Sequence, residues 1–461
     1  MPAPSPIQDK TGKVSIRGIF FSAASWTVLG FGTSQFIRLV GNLVLTRLLL
    51  PEHFGLMALL NVFVQGLEMF SDTGVSSSIV QHPDAEDDKF LNTAWSLQIL
   101  RGFALWGVAV ILAWPMAALY SEPAIRILLP VLALEVVIAG FNSTSLYTSS
   151  RNLMVKRLVV MEVLDYAIGL VVVIGIALVQ VSVWAFIIGG IAGALAKALL
   201  SHWMLVRRKH RFQLDRSALA ELTKFGRWIF LSTAFGFLAS RGDRLIVGKF
   251  VPLAKLGVYS IAYWLATFVP NAMQAVSSRL LFPLYSRLAE VHFDELRGRI
   301  TKIRAVILLV SVPPLCTLIV GGDLVVELLY EPEWYAAGPM LQLLSVGALA
   351  STVTLTLSPL LLALGDSFHF MILLIIKFVL MALCMTVGGL VGRHLGISTS
   401  IGGGGLVGML FGLVVSCYLT YIPLICELRK KRLWMWRIDL LTLGATLLMV
   451  AAGFALRMII F

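Results

Sequence analysis

Fifteen ionisable side chains stand within or at the ends of long apolar runs of this sequence, and their chemistry needs an account. A charge in hydrocarbon costs about 2.5 kcal/mol or more, so it persists where it faces a bundle interior, a wet cavity or a partner. Arg38, Arg241 and Arg244 are suited to grip phosphate, because the planar guanidinium donates two parallel hydrogen bonds and stays charged. Arg101 and Lys377 add two more cations. Arginines facing one cavity would hold an anionic headgroup such as a pyrophosphate. Glu68 and Asp72 are four residues apart, and Glu162 and Asp165 three, so each pair shares a helix face. Two acids side by side in a cavity repel, and one would keep a proton near neutral pH, which makes an ion-coupling or gating element. An interhelical salt bridge is the alternative. Glu135 and Asp243 complete the acidic set, and Asp243 points away from the face shared by Arg241 and Arg244, toward a neighbouring helix. For Arg101, Glu162, Asp165, Lys197 and Lys377, burial in a cavity and snorkelling fit equally. Arg279, Asp323 and Glu327 sit near the ends of their runs, where snorkelling accounts for them.

Other chemistry has no residues to carry it. There is no P-loop, no Ser/His/Asp set and no metal-ligand spacing, so neither ATP hydrolysis nor a cofactor or metal is expected. Cys316, Cys384, Cys417 and Cys426 lie in or beside apolar runs, outside any CxxC or Cys/His cluster. They read as small apolar residues, not as a disulfide framework or zinc site.

The elements that must position these groups are set by composition. Of 461 residues, 58% are hydrophobic and 13% charged, against about 45–50% and about 25% in soluble proteins. Such a chain has the bilayer as part of its solvent. A membrane helix takes about 20 mostly apolar residues. Thirteen runs qualify, near 21–46, 54–80, 91–119, 124–149, 157–180, 182–206, 225–250, 256–282, 303–330, 338–364, 368–391, 403–426 and 437–460. Pro313-Pro314 predicts a kink in the ninth. Residues 1–18 are polar and Pro-rich and show no cleavable signal. With the N-terminus inside, 24 of the 37 lysines and arginines fall in inside segments and 6 in outside ones. That distribution fits the positive-inside rule and explains the net charge of +12 without nucleic acid. The loops leave no room for a soluble domain, so a catalytic loop of a membrane glycan polymerase or ligase is not expected.

A weak repeat organises the spans. Leu50-Pro51-Glu52-His53-Phe54-Gly55-Leu56 and Val251-Pro252-Leu253-Ala254-Lys255-Leu256-Gly257-Val258 are both outside turns joining the first two spans of a six-span set. Arg38 and Arg241 precede the two glycines by 17 and 16 residues. Parallel repeats of this kind describe many transporters. The expected architecture is all-α, a polytopic membrane helix bundle of two six-helix pseudo-symmetric lobes with one or two extra C-terminal helices. The divisions are a tail at 1–20, an N-lobe at 21–206, a basic linker at 207–224, a C-lobe at 225–426, and a basic loop with the extra span at 427–461.

Several stretches carry a family resemblance. They are Thr46-Arg47-Leu48-Leu49-Leu50-Pro51-Glu52-His53-Phe54-Gly55-Leu56 with Phe70-Ser71-Asp72-Thr73-Gly74-Val75-Ser76-Ser77, and Gly140-Phe141-Asn142-Ser143 followed by Arg151. Asp243-Arg244-Leu245-Ile246-Val247-Gly248-Lys249-Phe250 with Leu256-Gly257-Val258-Tyr259-Ser260-Ile261-Ala262-Tyr263 is the most specific, and Leu281-Phe282-Pro283-Leu284-Tyr285-Ser286-Arg287-Leu288 the last. In order and spacing the chain resembles the Wzx-like oligosaccharide flippases of the multidrug/oligosaccharidyl-lipid/polysaccharide exporter superfamily, well over 20–300 and by hydropathy beyond. The resemblance implies alternating access in the bacterial inner membrane, driven by an ion gradient. It implies an undecaprenyl-pyrophosphate-linked oligosaccharide as cargo, for exopolysaccharide, capsule or O-antigen assembly. Membrane lipids are the other expected partner, and a polysaccharide polymerase with its chain-length machinery is left open. Multidrug efflux on the same fold is the competing reading. Arg101 and the Glu162/Asp165 pair have no place in the family pattern.

Overall fold

The computed structural model describes residues 16–70, 79, 87–152, 154–205, 210–276, 293–396, 402–431 and 433–460. Asp72, Arg279 and the stretch Leu281–Leu288 lie outside them. The described elements are helices: α1 (Ile16–Leu48), α2 (Pro51–Phe70), α3 (Asp88–Tyr120), α4 (Ile125–Leu132), α5 (Leu134–Gly140), α6 (Ser145–Arg151), α7 (Val155–Val179), α8 (Trp184–Trp203), α9 (Arg216–Phe250), α10 (Leu253–Ala266), α11 (Phe268–Val276), α12 (Phe293–Leu329), α13 (Ala337–Leu355), α14 (Ser358–Ala363), α15 (Ser367–His394), α16 (Gly404–Leu419), α17 (Tyr421–Lys430) and α18 (Trp436–Ile460). Each of the thirteen predicted runs overlaps a helix or a broken helix. Among the described residues, eight helices are long and apolar enough to cross a bilayer, and two bent pairs bring the number to ten. The bends are 61° between α5 and α6 and 52° between α10 and α11. The protein is a multi-pass helical membrane protein.

Contacts divide the chain into one unit running to Leu49 and from Leu60 to Ala234, and a second of Leu50–Leu59 and Phe235–Phe461. In the first, α3 packs on α4 and α5, α7 pairs with α8, and α1 runs along α7. A strap at 210–215 then crosses the start of α3. Its alternate amides, those of Arg211, Gln213 and Asp215, donate to Asn92 Oδ1 (3.1 Å), Ser96 Oγ (2.9 Å) and Thr93 Oγ1 (3.1 Å). His210 stacks on Trp95 with centroids 5.3 Å apart, and its Nε2 lies 2.8 Å from Ser143 Oγ. Helix α9 begins at Arg216, before the predicted 225, because hydropathy marks only the apolar part of a helix.

In the second unit, the two sequence-repeat turns meet. A Cβ on Gly55 would strike the Leu253 carbonyl oxygen, and one on Gly257 would strike that of Pro51, so only glycine permits this reciprocal approach. Phe54 packs edge-on against the fully buried Trp334, centroids 5.0 Å apart. Helices α15 and α16 form a hairpin along a ladder of small residues: Gly388 on Gly408, Gly392 on Gly404, and Cys384 on Gly412. Close backbone approach of this kind drives helix pairing where lipid offers no hydrophobic contrast.

One expectation about α12 changes. Its non-helical backbone falls at Gly321 (φ −119°, ψ 18°), not at Pro313-Pro314. Beside that break the Val320 carbonyl oxygen accepts from Gln342 Nε2 (3.2 Å) and Arg457 Nη1 (2.9 Å), which replaces lost helical bonding. Asp323 is held by a partner distant in sequence. Its two oxygens take the Arg457 fork at 2.9 and 2.5 Å. Near the other end of α12, the fully buried Arg304 lies 2.5 Å from Asp439 Oδ1. Tyr421 and Trp434 donate to Asp439 Oδ2 at 2.6 and 3.0 Å. Helix α18 is thus tied to α12 near both ends.

Candidate functional site

Each unit gathers a set of charges, described separately. In the second unit the set grows from α9 and α10. Asp243 is 2% exposed and accepts a short hydrogen bond from the Tyr259 hydroxyl. Tyr259 and Tyr263 are one turn apart on the same face of α10, their rings 5.7 Å apart. The Arg244 guanidinium lies over the Tyr263 ring at 5.2 Å, and its Nε is buried without a hydrogen-bond partner. Among the described residues neither Asp243 nor Arg244 makes an ion pair. Arg241, one turn earlier, lies in electrostatic reach of Tyr263. Gly242 leaves room for α15: the place of its Cβ is 2.9 Å from Met381 Cε and 3.4 Å from Phe378 Cε2. That approach brings Lys377, the residue before Phe378, to the same region, where Lys377 and Asp243 both act on Cys417. Arg241, Asp243, Arg244 and Lys377 therefore lie in one region of the second unit.

In the first unit, Arg101 Nη2 donates to the Glu68 carbonyl oxygen at 2.8 Å, holding the end of α2 against α3. Arg101 and Lys197 are both in electrostatic reach of Glu68. Glu135, on α5, is close enough to Glu68 to repel it. Its Oε1 is buried without a hydrogen-bond partner, in room that Gly190 of α8 leaves open. Asp165 faces Lys197 at 3.6 Å, so this acid joins α7 to α8. Glu162 is exposed on α7. Arg38 is also exposed and lies over the Tyr166 ring at 5.1 Å. All four cysteines are free.

The two sets differ in chemistry. A guanidinium carried on an aromatic face, with a buried N–H left over, can donate to an anion. Two carboxylates near each other, one with a buried unpartnered oxygen, can accept a proton or cation. Sequence reasoning missed Tyr259, Tyr263 and Tyr166. The only signal for the first two was their four-residue spacing beside Asp243-Arg244.

The family described as polysaccharide biosynthesis protein matches residues 44–339, more than half of the chain. The chain belongs to that family. This polysaccharide biosynthesis protein is 22% identical over 455 residues to the lipopolysaccharide biosynthesis protein WzxC of Escherichia coli K12, covering 96% of this chain and 89% of WzxC. Among solved structures it is similar to the lipid II flippase MurJ in an inward closed conformation: 13% identity, TM-score 0.66, 94% of this chain and 93% of MurJ. It is also similar to an inward-facing multidrug-resistance MATE transporter of the MOP superfamily: 15% identity, TM-score 0.62, 90% and 98%. At such identities the solved structures show the fold alone, a transporter fold common to a lipid flippase and to drug exporters.

Proposed function

We propose that this polysaccharide biosynthesis protein flips an undecaprenyl-pyrophosphate-linked oligosaccharide from the cytoplasmic to the outer leaflet by alternating access. The product feeds exopolysaccharide, capsule or O-antigen assembly, and a polymerase with its chain-length machinery is the partner that would receive it. The reading places the protein in the bacterial inner membrane with its N-terminus in the cytoplasm and two six-span lobes, 21–206 and 225–426. It is a translocator, with no covalent step.

The observation that carries this reading is Arg244, stacked on Tyr263 with a buried Nε unpartnered. A buried donor left unmade costs about 1–3 kcal/mol, so such a group favours a ligand that satisfies it. Arg241 and Lys377 supply further positive charge to the same pyrophosphate, and Arg38 and Arg101 are cations of the other unit. Family membership favours this cargo over a drug. Glu68 and Glu135 are the coupling pair, with Asp72, Glu162, Asp165 and Asp243 in gating roles.

The test is Arg241→Ala and Arg244→Ala in cells whose surface polysaccharide depends on the protein. Each variant should reach the membrane and abolish the polysaccharide. Normal polysaccharide from both removes the arginine site from the mechanism. The MATE-like fold gives the competing exporter reading a basis, and a drug-susceptibility panel on a deletion strain separates the two: unchanged susceptibility is expected.

A further inference from the structure

The sequence puts an acid between two phosphate-gripping cations: Arg241, Asp243, Arg244. A carboxylate is itself an excellent ligand for a guanidinium. If Asp243 paired with Arg244, the anion site would be filled by the protein's own side chain. The structure shows how this is avoided. Asp243 is turned into the packing between α9 and α10, almost wholly buried, where the Tyr259 hydroxyl donates to it. One turn along the same face of α10, Tyr263 carries the Arg244 guanidinium at 5.2 Å. Two tyrosines of one helix thus engage the acid and its neighbouring base separately. Tyr259 takes the carboxylate, and Tyr263, an uncharged platform, takes the cation. The Arg244 Nε stays buried and unpartnered although a carboxylate is adjacent in sequence.

We infer that Tyr259 is a positioning residue of the headgroup site: by binding Asp243 it keeps that carboxylate from quenching Arg244. The inference rests on the headgroup reading above and deepens it. It gives Asp243 a defined place and makes site occupancy depend on a hydroxyl that never touches the cargo. Removing that hydroxyl while keeping the ring frees the carboxylate to turn toward Arg244. Removing the carboxylate's charge as well leaves nothing to restrain.

The experiment measures inorganic pyrophosphate binding to the purified full-length protein in detergent by titration calorimetry. Tyr259→Phe should bind about tenfold more weakly, the equivalent of one hydrogen bond. Tyr259→Phe/Asp243→Asn should return to the affinity of the unsubstituted protein. A purely structural tyrosine would show no such rescue, so a double variant as weak as the single one overturns the inference. Asp243→Asn alone should bind at least as tightly as the unsubstituted protein, and this arm stands even if Tyr259→Phe does not fold. Weaker binding by Asp243→Asn also overturns the inference. Arg244→Ala separates the two levels. If it weakens binding while Tyr259→Phe does not, the inference alone fails. If it binds like the unsubstituted protein, or if that protein does not bind pyrophosphate at all, the headgroup reading fails and the inference with it.

Discussion

At the scale of single residues, the charges outside the membrane follow simple electrostatics. Asp366 precedes α15 and caps it, accepting from the His369 amide at 3.3 Å. Lys431 Nζ lies 2.8 Å and His369 Nδ1 2.6 Å from its carboxylate. The Lys431 ammonium, then the His369 imidazole, hold this carboxyl well below the usual range. A folded-state pKa lower than the unfolded one stabilises above the unfolded value, about 3.9, and that stability is lost as pH falls below it. Asp366→Asn should therefore lower the thermal unfolding temperature at pH 7, and the gap from the unsubstituted protein should close as pH falls below about 4. A gap that stays constant to pH 3, measured by thermal unfolding in detergent, would assign the effect to something other than this charge. Residue chemistry was legible in the sequence where partners are near. The Arg241, Asp243, Arg244 cluster stands out from spacing alone. The partner of Asp323, Arg457, is invisible to spacing because it is far along the chain and only packing brings the two together.

At the scale of elements, hydropathy found the helices and missed what joins them. Gly404, Gly408 and Gly412 stand one turn apart on α16, yet a hydropathy reading takes them as one more apolar run. Their function appears only against Cys384, Gly388 and Gly392 of α15. Gly408→Leu would drive a side chain into the Gly388 carbonyl, and overpacking of this sort costs about 1–3 kcal/mol. The expected result is a clearly lower thermal unfolding temperature, with Gly403→Leu, which meets nothing within 4 Å, close to the unsubstituted protein. Equal loss in both would mean that the hairpin is not held by this contact. The prolines of α12 mislead for a related reason. A membrane helix can restore the bonding a proline removes, whereas the break at Gly321 is sustained by Gln342 and Arg457, which no local pattern reveals. The strap at 210–215 is likewise only a basic linker in the sequence, since its anchors Asn92, Thr93 and Ser96 are ordinary polar residues until the backbone meets them.

At the scale of the whole molecule, the count of charges along the chain is the strongest signal, since orientation depends on a sum and not on any one contact. It predicts opposite sides for the turn at Glu333 and the strap at Gln213. In a cysteine-free background, Glu333→Cys should react with a membrane-impermeant maleimide in intact cells. Gln213→Cys should react only after the membrane is opened. The reverse pattern would invert the topology and the direction of transport with it. The pairing of α18 with α12 has one more consequence. Asp439 and Arg457 are 18 residues apart, and Arg304 and Asp323 are 19 apart, so at 1.5 Å per residue each separation is roughly 27–29 Å, nearly the thickness of bilayer hydrocarbon. Two ion pairs set that far apart act as a gauge block. The helices can tilt together, but neither can telescope past the other by a turn without stranding a charge in oil.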